Sequence, residues 1–204
     1  MRERAAATVV IVPGLRDHVA QHWQTLLAAQ LPGCITVPPM GREDLDRQAR
    51  VDALEAAVAS VPGPVQLVAH SGGCITVAHW AASTAHADRV RGALLATPPD
   101  FDAPMPVGYP GTDALRAAGW LPVPRQPLPF PSLVATSQND PLGALDRVQA
   151  LARDWGSRTV NLGAVGHLNP ASGYGEWPQA LALIAALDGG PVQATGSALS
   201  DASC

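Results

Sequence analysis

The sequence predicts an α/β fold, a three-layer sandwich built on a six-stranded parallel sheet in the order 2-1-3-4-5-6. Two observations carry the parallel α/β architecture. Short runs of β-branched and aliphatic residues alternate with longer segments of helical spacing, the pattern of right-handed βαβ units. The runs are also punctuated by turn residues: the first stops at Pro13-Gly14 and the third is entered through Pro62-Gly63-Pro64.

The first strand is Thr8-Val9-Val10-Ile11-Val12, too short for the apolar stretch of a signal peptide. Trp23, Leu26, Leu27 and Leu31 predict a helix over 18–31, and a second strand follows at 34–37. Over 46–60, Val51, Leu54 and Val58 recur on one face with Asp and Arg opposite, which predicts an amphipathic helix. A third strand at 65–69 leads into an alanine-rich helix at 72–86, and a fourth strand covers 90–97. The fifth strand, 132–137, is followed by a helix at 143–155. The sixth, 158–162, precedes a closing helix at 177–188. Between the fourth and fifth strands, residues 98–131 hold half of the twenty prolines and one weak helix at 112–118. A connection of that length is expected to be functional or mobile, and it starts where parallel sheets bind ligands. The domain is therefore placed at 8–188, between a flexible N-terminus (1–7) and a disordered tail (189–204) that lacks periodicity.

Composition narrows the function. With 204 residues and 47% hydrophobic content, the chain can build a real core. No run approaches the roughly 18 apolar residues of a membrane span. The net charge of −4 and the absence of a basic stripe argue against a nucleic-acid partner. All 13 basic residues are arginine, which excludes Schiff-base and P-loop chemistry, both of which need lysine. Cys34, Cys74 and Cys204 are too few and too scattered for a disulfide framework or zinc site, so a reducing, cytoplasmic setting is expected.

The strongest local pattern is Val65-Gln66-Leu67-Val68-Ala69-His70-Ser71-Gly72-Gly73-Cys74-Ile75: a strand, a serine among small residues, then a helix. This is the nucleophile-elbow arrangement, a strained turn that lifts the hydroxyl above the sheet edge. Ala69 stands where the G-x-S-x-G pattern has its first glycine and is still small enough for strand and helix to approach. An elbow serine needs an acid and then a histidine, each after a later strand. The fifth strand runs into Gln138-Asn139-Asp140-Pro141, and the sixth into Gly163-Ala164-Val165-Gly166-His167-Leu168-Asn169. Taken singly, Asp140 reads as a helix cap or Asx-turn and His167 as an ordinary loop histidine. Taken together, in chain order at one sheet edge, Ser71, Asp140 and His167 read as a catalytic triad.

On further motifs the sequence resembles the small α/β-hydrolases of the retinoblastoma-binding protein 9 and YdeN type, serine hydrolases with little or no lid. The matching pieces are PGL at 13–15 with HWQ at 22–24, AHSGGC at 69–74, ATPPD at 96–100, SQNDP at 137–141 and GHLNPASGYGEWP at 166–178. The likeness runs from about residue 8 to 188. It implies the α/β-hydrolase fold, with Ser71 as nucleophile, Asp140 as acid and His167 as base. The small-residue turn that the family has after Pro-Gly is here Arg16-Asp17-His18. That departure bears on the mouth of the pocket, not on the three residues.

In such a site His167 takes the proton from Ser71 and passes it to the leaving group, while Asp140 fixes the imidazole tautomer. Two oxyanion-hole donors are expected. One is the backbone N–H of Gly72, at a helix start where the dipole favours negative charge. The other is the N–H of Leu15, in the turn after the first strand. Behind them, His22 with Trp23 is expected to brace the oxyanion loop, and Asn169 and Trp177 to order the His167 loop. His70 is expected to point away from the serine, and Cys74 to lie in the core. Asp100 and Asp102 are alternative acids that fit the strand order less well, and His79 and His86 have no assigned role. His18 and His22 have the spacing of a metal pair but lack the glutamate and a third ligand. No metal or organic cofactor is therefore expected.

The expected activity is hydrolysis of a small carboxylic ester with a short acyl chain, through an acyl-enzyme on Ser71. A peptidase or thioesterase would use the same triad. The competing reading is a non-enzymatic protein-interaction module that keeps the fold. Its motivation is the protein partner of the name-giving family member and the small number of aromatic residues, and the intact set of three counts against it.

Overall fold

In a computed structural model, which describes residues 6–16, 19–41 and 43–187, the apolar runs form one parallel sheet. Its strands are β1 (Thr8–Val12), β2 (Ile35–Thr36), β3 (Val65–His70), β4 (Val90–Ala96), β5 (Ser132–Thr136) and β6 (Arg158–Asn161). They lie in the order β2-β1-β3-β4-β5-β6, as expected, and every neighbouring pair is parallel. The central strand β3 is buried along its whole length, which is why its sequence is mostly apolar instead of alternating; its two polar side chains, Gln66 and His70, hydrogen-bond the Ile184 and His167 carbonyls.

Alternation along β1 divides the core in two. Val10 and Val12 face one layer, made with α2 (Arg47–Ser60), α3 (Gly72–Ala81) and α5 (Leu145–Asp154). Val9 and Ile11 face the other, made with α1 (Trp23–Gln30) and α6 (Gln179–Ala186). This is the three-layer α/β sandwich, and all its strands point their carboxyl ends to one edge.

Several boundaries differ from the sequence reading. α1 starts at Trp23 and not at 18, because the His22 ring caps it by accepting the Gln24 amide. α3 stops at Ala81 and not at 86. The Ser83 and Thr84 amides fold back onto the Trp80 carbonyl, and the Thr84 hydroxyl donates to Glu55. α5 and α6 are each shorter than expected, at 145–154 and 179–186. β2 pairs over two residues only.

Residues 98–131 contain the one weak helix expected, α4 (Thr112–Ala117), but they are tied down. Phe101, Leu115, Trp120, Val123 and Phe130 are buried in the α2–α3–α5 layer. The Trp120 indole donates to the Leu45 carbonyl at 2.7 Å, and Arg125 bridges Asp102 and Asp154. The expected C-terminal tail (189–204), the domain limit at 188 and most of the expected flexible N-terminus lie outside the described residues. So do Asp17 and His18, and with them the His18–His22 spacing. Among the described residues, no helix is long and apolar enough to cross a membrane.

Candidate active site

β3 ends at His70 and α3 begins at Gly72, so the chain reverses within Ser71, which takes φ 55° and ψ −130°. A non-glycine residue reaches that region only under strain held by its surroundings. The Ser71 amide is anchored to the Ala96 carbonyl at 3.0 Å. The turn also needs small neighbours. A Cβ on Gly73 would stand 2.5 Å from the Val12 carbonyl oxygen, and one on Gly14 would stand 3.1 Å from Ser71 Cβ. The glycines seen in the sequence are thus steric requirements of the elbow.

The structure brings the three candidate residues together. Ser71 Oγ lies 2.8 Å from His167 Nε2, and His167 Nδ1 lies 2.8 Å from Asp140 Oδ2. The Asp140 and His167 side chains are 2% and 5% exposed. An ionised carboxylate only accepts, so Asp140 places the ring proton on Nδ1 and leaves Nε2 to accept from the serine hydroxyl. Asp140 Oδ1 also accepts the Leu142 amide at 2.8 Å. The Asx-turn considered as the alternative is therefore present in the same side chain. Asp100 is engaged elsewhere, with Arg147 Nε at 2.8 Å, and Asp102 with Arg125.

The expected oxyanion donors are adjacent. Gly72 opens α3, so its amide has no intrahelical acceptor. A Cβ on Gly72 would lie 2.6 Å from Leu15 Cγ and 3.3 Å from the Leu15 nitrogen, which puts the two peptides side by side. The Leu15 turn is held by residues that the sequence reading missed. Arg50, expected on the polar face of its helix, is instead buried, and its guanidinium donates to the carbonyls of Leu15, Gly41 and Asp44. Gln24, also buried, donates to the carbonyls of Val12 and Val68 at 3.1 Å each. No periodicity distinguishes these two, because a buried polar residue that serves distant backbone carbonyls sits where a solvated one would.

The His167 loop is ordered from several sides. Asn169 Oδ1 accepts from the Ser172 amide and hydroxyl, and Ser172 Oγ accepts the His167 amide. Asn139 accepts the Gly166 amide at 2.7 Å. Trp177 packs edge-on against Trp23 at 4.9 Å, in the layer that also buries Leu168. His22 caps α1 and sets its ring 4.7 Å from that of His70. His70 itself turns to the His167 backbone and hydrogen-bonds that carbonyl through Nε2 at 2.9 Å. Asn139, His70 and Ser172 were not singled out for this role, although each lies within a quoted motif. Cys74 is fully buried, and burial pushes its thiol well up, away from the reactive thiolate.

Ser71 opens onto a cavity of about 310 Å³. Its walls are mostly apolar. Leu15 and Val19 line it together with Phe101, Met105 and Tyr109 from the proline-rich connection, and with Leu142 beside the acid. Arg16 also lines the cavity, its guanidinium 4.4 Å from the centre of the Tyr109 ring. Among the described residues, no group of three His, Cys, Asp or Glu side chains is placed to hold a metal ion. The arrangement has a strained hydroxyl, an oriented imidazole and paired amides beside an apolar cavity, which are the parts needed for attack on an acyl carbonyl.

Comparison with known proteins places the chain. A family model described as serine hydrolase matches residues 9–186. A protein described as a YdeN-like hydrolase, from Pectobacterium atrosepticum, is 28% identical, with a TM-score of 0.73 over 90% of this chain and 91% of that one. The ydeN gene product of B. subtilis shares the fold at 15% identity, with a TM-score of 0.70 over 91% of this chain and all (100%) of that one. A thermophilic esterase from Thermogutta terrifontis does so at 17% identity, with a TM-score of 0.57 over 90% and 89% of the two chains. No curated relative matches.

Proposed function

The chain belongs to the serine hydrolase family, of YdeN-like type, and from that premise we propose that it cleaves small carboxylic esters through an acyl-enzyme on Ser71. The observation that carries the proposal is the unbroken chain of contacts from Asp140 through His167 to Ser71, 2.8 Å at each step. His167 Nε2 takes the hydroxyl proton as Ser71 Oγ attacks the ester carbonyl. The carbonyl oxygen becomes an oxyanion facing the amides of Leu15 and Gly72. Collapse of the tetrahedral adduct breaks the bond to the alkoxy group, which leaves with the proton from His167. Water, deprotonated by the same imidazole, then attacks the acyl-enzyme and releases the acid and Ser71. A positioned base contributes about 10²–10⁴-fold, and each oxyanion donor about 3 kcal/mol.

The apolar cavity next to Ser71 supports a short acyl chain. Asn169 and Trp177 act as positioning residues of the His167 loop, and His22 acts at one remove through His70. Hydrolysis of p-nitrophenyl acetate and butyrate by the native protein, compared with Ser71→Ala, tests the reading. Loss of turnover in the variant is expected. Equal rates in the two proteins would favour the non-enzymatic interaction module.

A further inference from the structure

Among the described residues, Arg16 is the one permanent cation lining the cavity that holds Ser71, beside residues that are otherwise apolar, uncharged or imidazoles. It directly follows Leu15, whose amide faces the expected oxyanion. Among the described residues no carboxylate pairs with it. Its partner among the described residues is the ring of Tyr109, whose centre is 4.4 Å from the guanidinium carbon. A ring face attracts a guanidinium without offering it an oxygen acceptor, so the bidentate N–H fork still has an anion to gain. The ring also restricts a long side chain that would otherwise lose freedom on binding, so part of the ordering cost is met in advance.

We propose that Arg16 selects substrates carrying a carboxylate, so that the preferred ester is the half-ester of a short dicarboxylic acid or a similarly acidic acyl compound. This rests on the esterase reading of the same site. The electrostatics around Arg16 also limit where the anion goes. A second cavity shares Leu15, Arg16 and Pro110 with the first and carries Glu43 on its wall. That carboxylate repels an anion reaching past Arg16. The substrate's charge therefore stops at the guanidinium, at the end of a chain that begins on Ser71.

The test compares p-nitrophenyl hydrogen glutarate with p-nitrophenyl valerate, esters matched in acyl chain length but differing in terminal charge. The expected result is a higher kcat/KM for the glutarate half-ester in the native protein, with a preference that shrinks as salt is added. Arg16→Gln should cut the ratio of the two kcat/KM values by about tenfold or more, the usual worth of a hydrogen-bonded charge, and Arg16→Lys should keep part of it. A native protein without the preference, or an Arg16→Gln variant that lowers both esters in proportion, overturns the inference and leaves the esterase reading standing. Failure of the native protein to hydrolyse either ester takes down both.

Discussion

The carboxylate of Asp140 holds His167 with one oxygen and its own turn with the other: Oδ2 is 2.8 Å from the imidazole Nδ1, and Oδ1 accepts the Leu142 amide at 2.8 Å. Backbone and ring therefore fix the carboxylate at both ends, and the imidazole inherits that orientation. Asp100, one of the two alternative acids in the sequence, is tied to Arg147 instead. Asp140→Asn is expected to lower kcat for p-nitrophenyl acetate by about 10⁴-fold, as loss of the correct tautomer does elsewhere. Asp100→Asn should keep most of the activity. Initial rates of the two purified variants decide between the acids, and the opposite ranking would move the acid to Asp100.

The elbow leaves no room at Gly73, where a Cβ would meet the Val12 oxygen at 2.5 Å and the Pro13 oxygen at 2.6 Å. Both are backbone atoms at the end of the central sheet and cannot swing aside. Gly73→Ala should therefore destabilise the fold by about 1–3 kcal/mol, despite alanine's better helix propensity. Urea unfolding measures it. A variant as stable as the native protein would show that the strand end and α3 are less tightly packed than the geometry requires.

Gly72 differs because its added Cβ meets a side chain, Leu15 Cγ at 2.6 Å, and lies beside the Leu15 nitrogen at 3.3 Å. The leucine can rotate, but its peptide is the expected second oxyanion donor. Gly72→Ala should cost less stability than Gly73→Ala while lowering kcat by up to about 10²-fold, the scale of one misplaced donor. Steady-state kinetics with a matching unfolding curve check the split. A loss confined to stability would place the oxyanion donors elsewhere.

Away from the cavity, Glu55 ties α2 to the end of α3. Its carboxylate accepts from the Trp80 indole at 2.5 Å and from the Thr84 hydroxyl at 2.8 Å, and it meets His86 Nδ1 at 2.6 Å. Burial alone would raise its pKa, but the bonds from Thr84, Trp80 and His86 outweigh burial and hold it below the ordinary carboxylate value. A depressed folded pKa gives stability that is present above the unfolded value and lost as pH falls through the folded one. The Tm difference between the native protein and Glu55→Gln should thus narrow from about pH 5 downward. A gap that widens on acidification would contradict the sign.

The parts legible in the sequence are those whose physics is local or periodic. The parallel sheet followed from alternating element types, and the Ser71 turn from small residues that the structure shows to be sterically required. The route from β5 to Asp140 and from β6 to His167 followed from chain order. The supports of the site were not legible. Arg50 looks like a solvated helix residue until the fold brings the Leu15, Gly41 and Asp44 carbonyls over it. His70 is adjacent to Ser71 in sequence, yet it serves the carbonyl of a residue 97 positions away. The proline-rich connection read as functional or mobile, and its anchors, Trp120 to Leu45 and Trp155 to Pro124, are long-range bonds that composition cannot reveal.

Covalent labelling reads the central claim most directly. The native protein is treated with a fluorophosphonate, digested, and the adduct located by peptide mass mapping, with Ser71→Ala carried in parallel. The account predicts a single phosphonylated peptide bearing the adduct on Ser71 and no label on the variant. An adduct on any other residue, or undiminished labelling of Ser71→Ala, would contradict it.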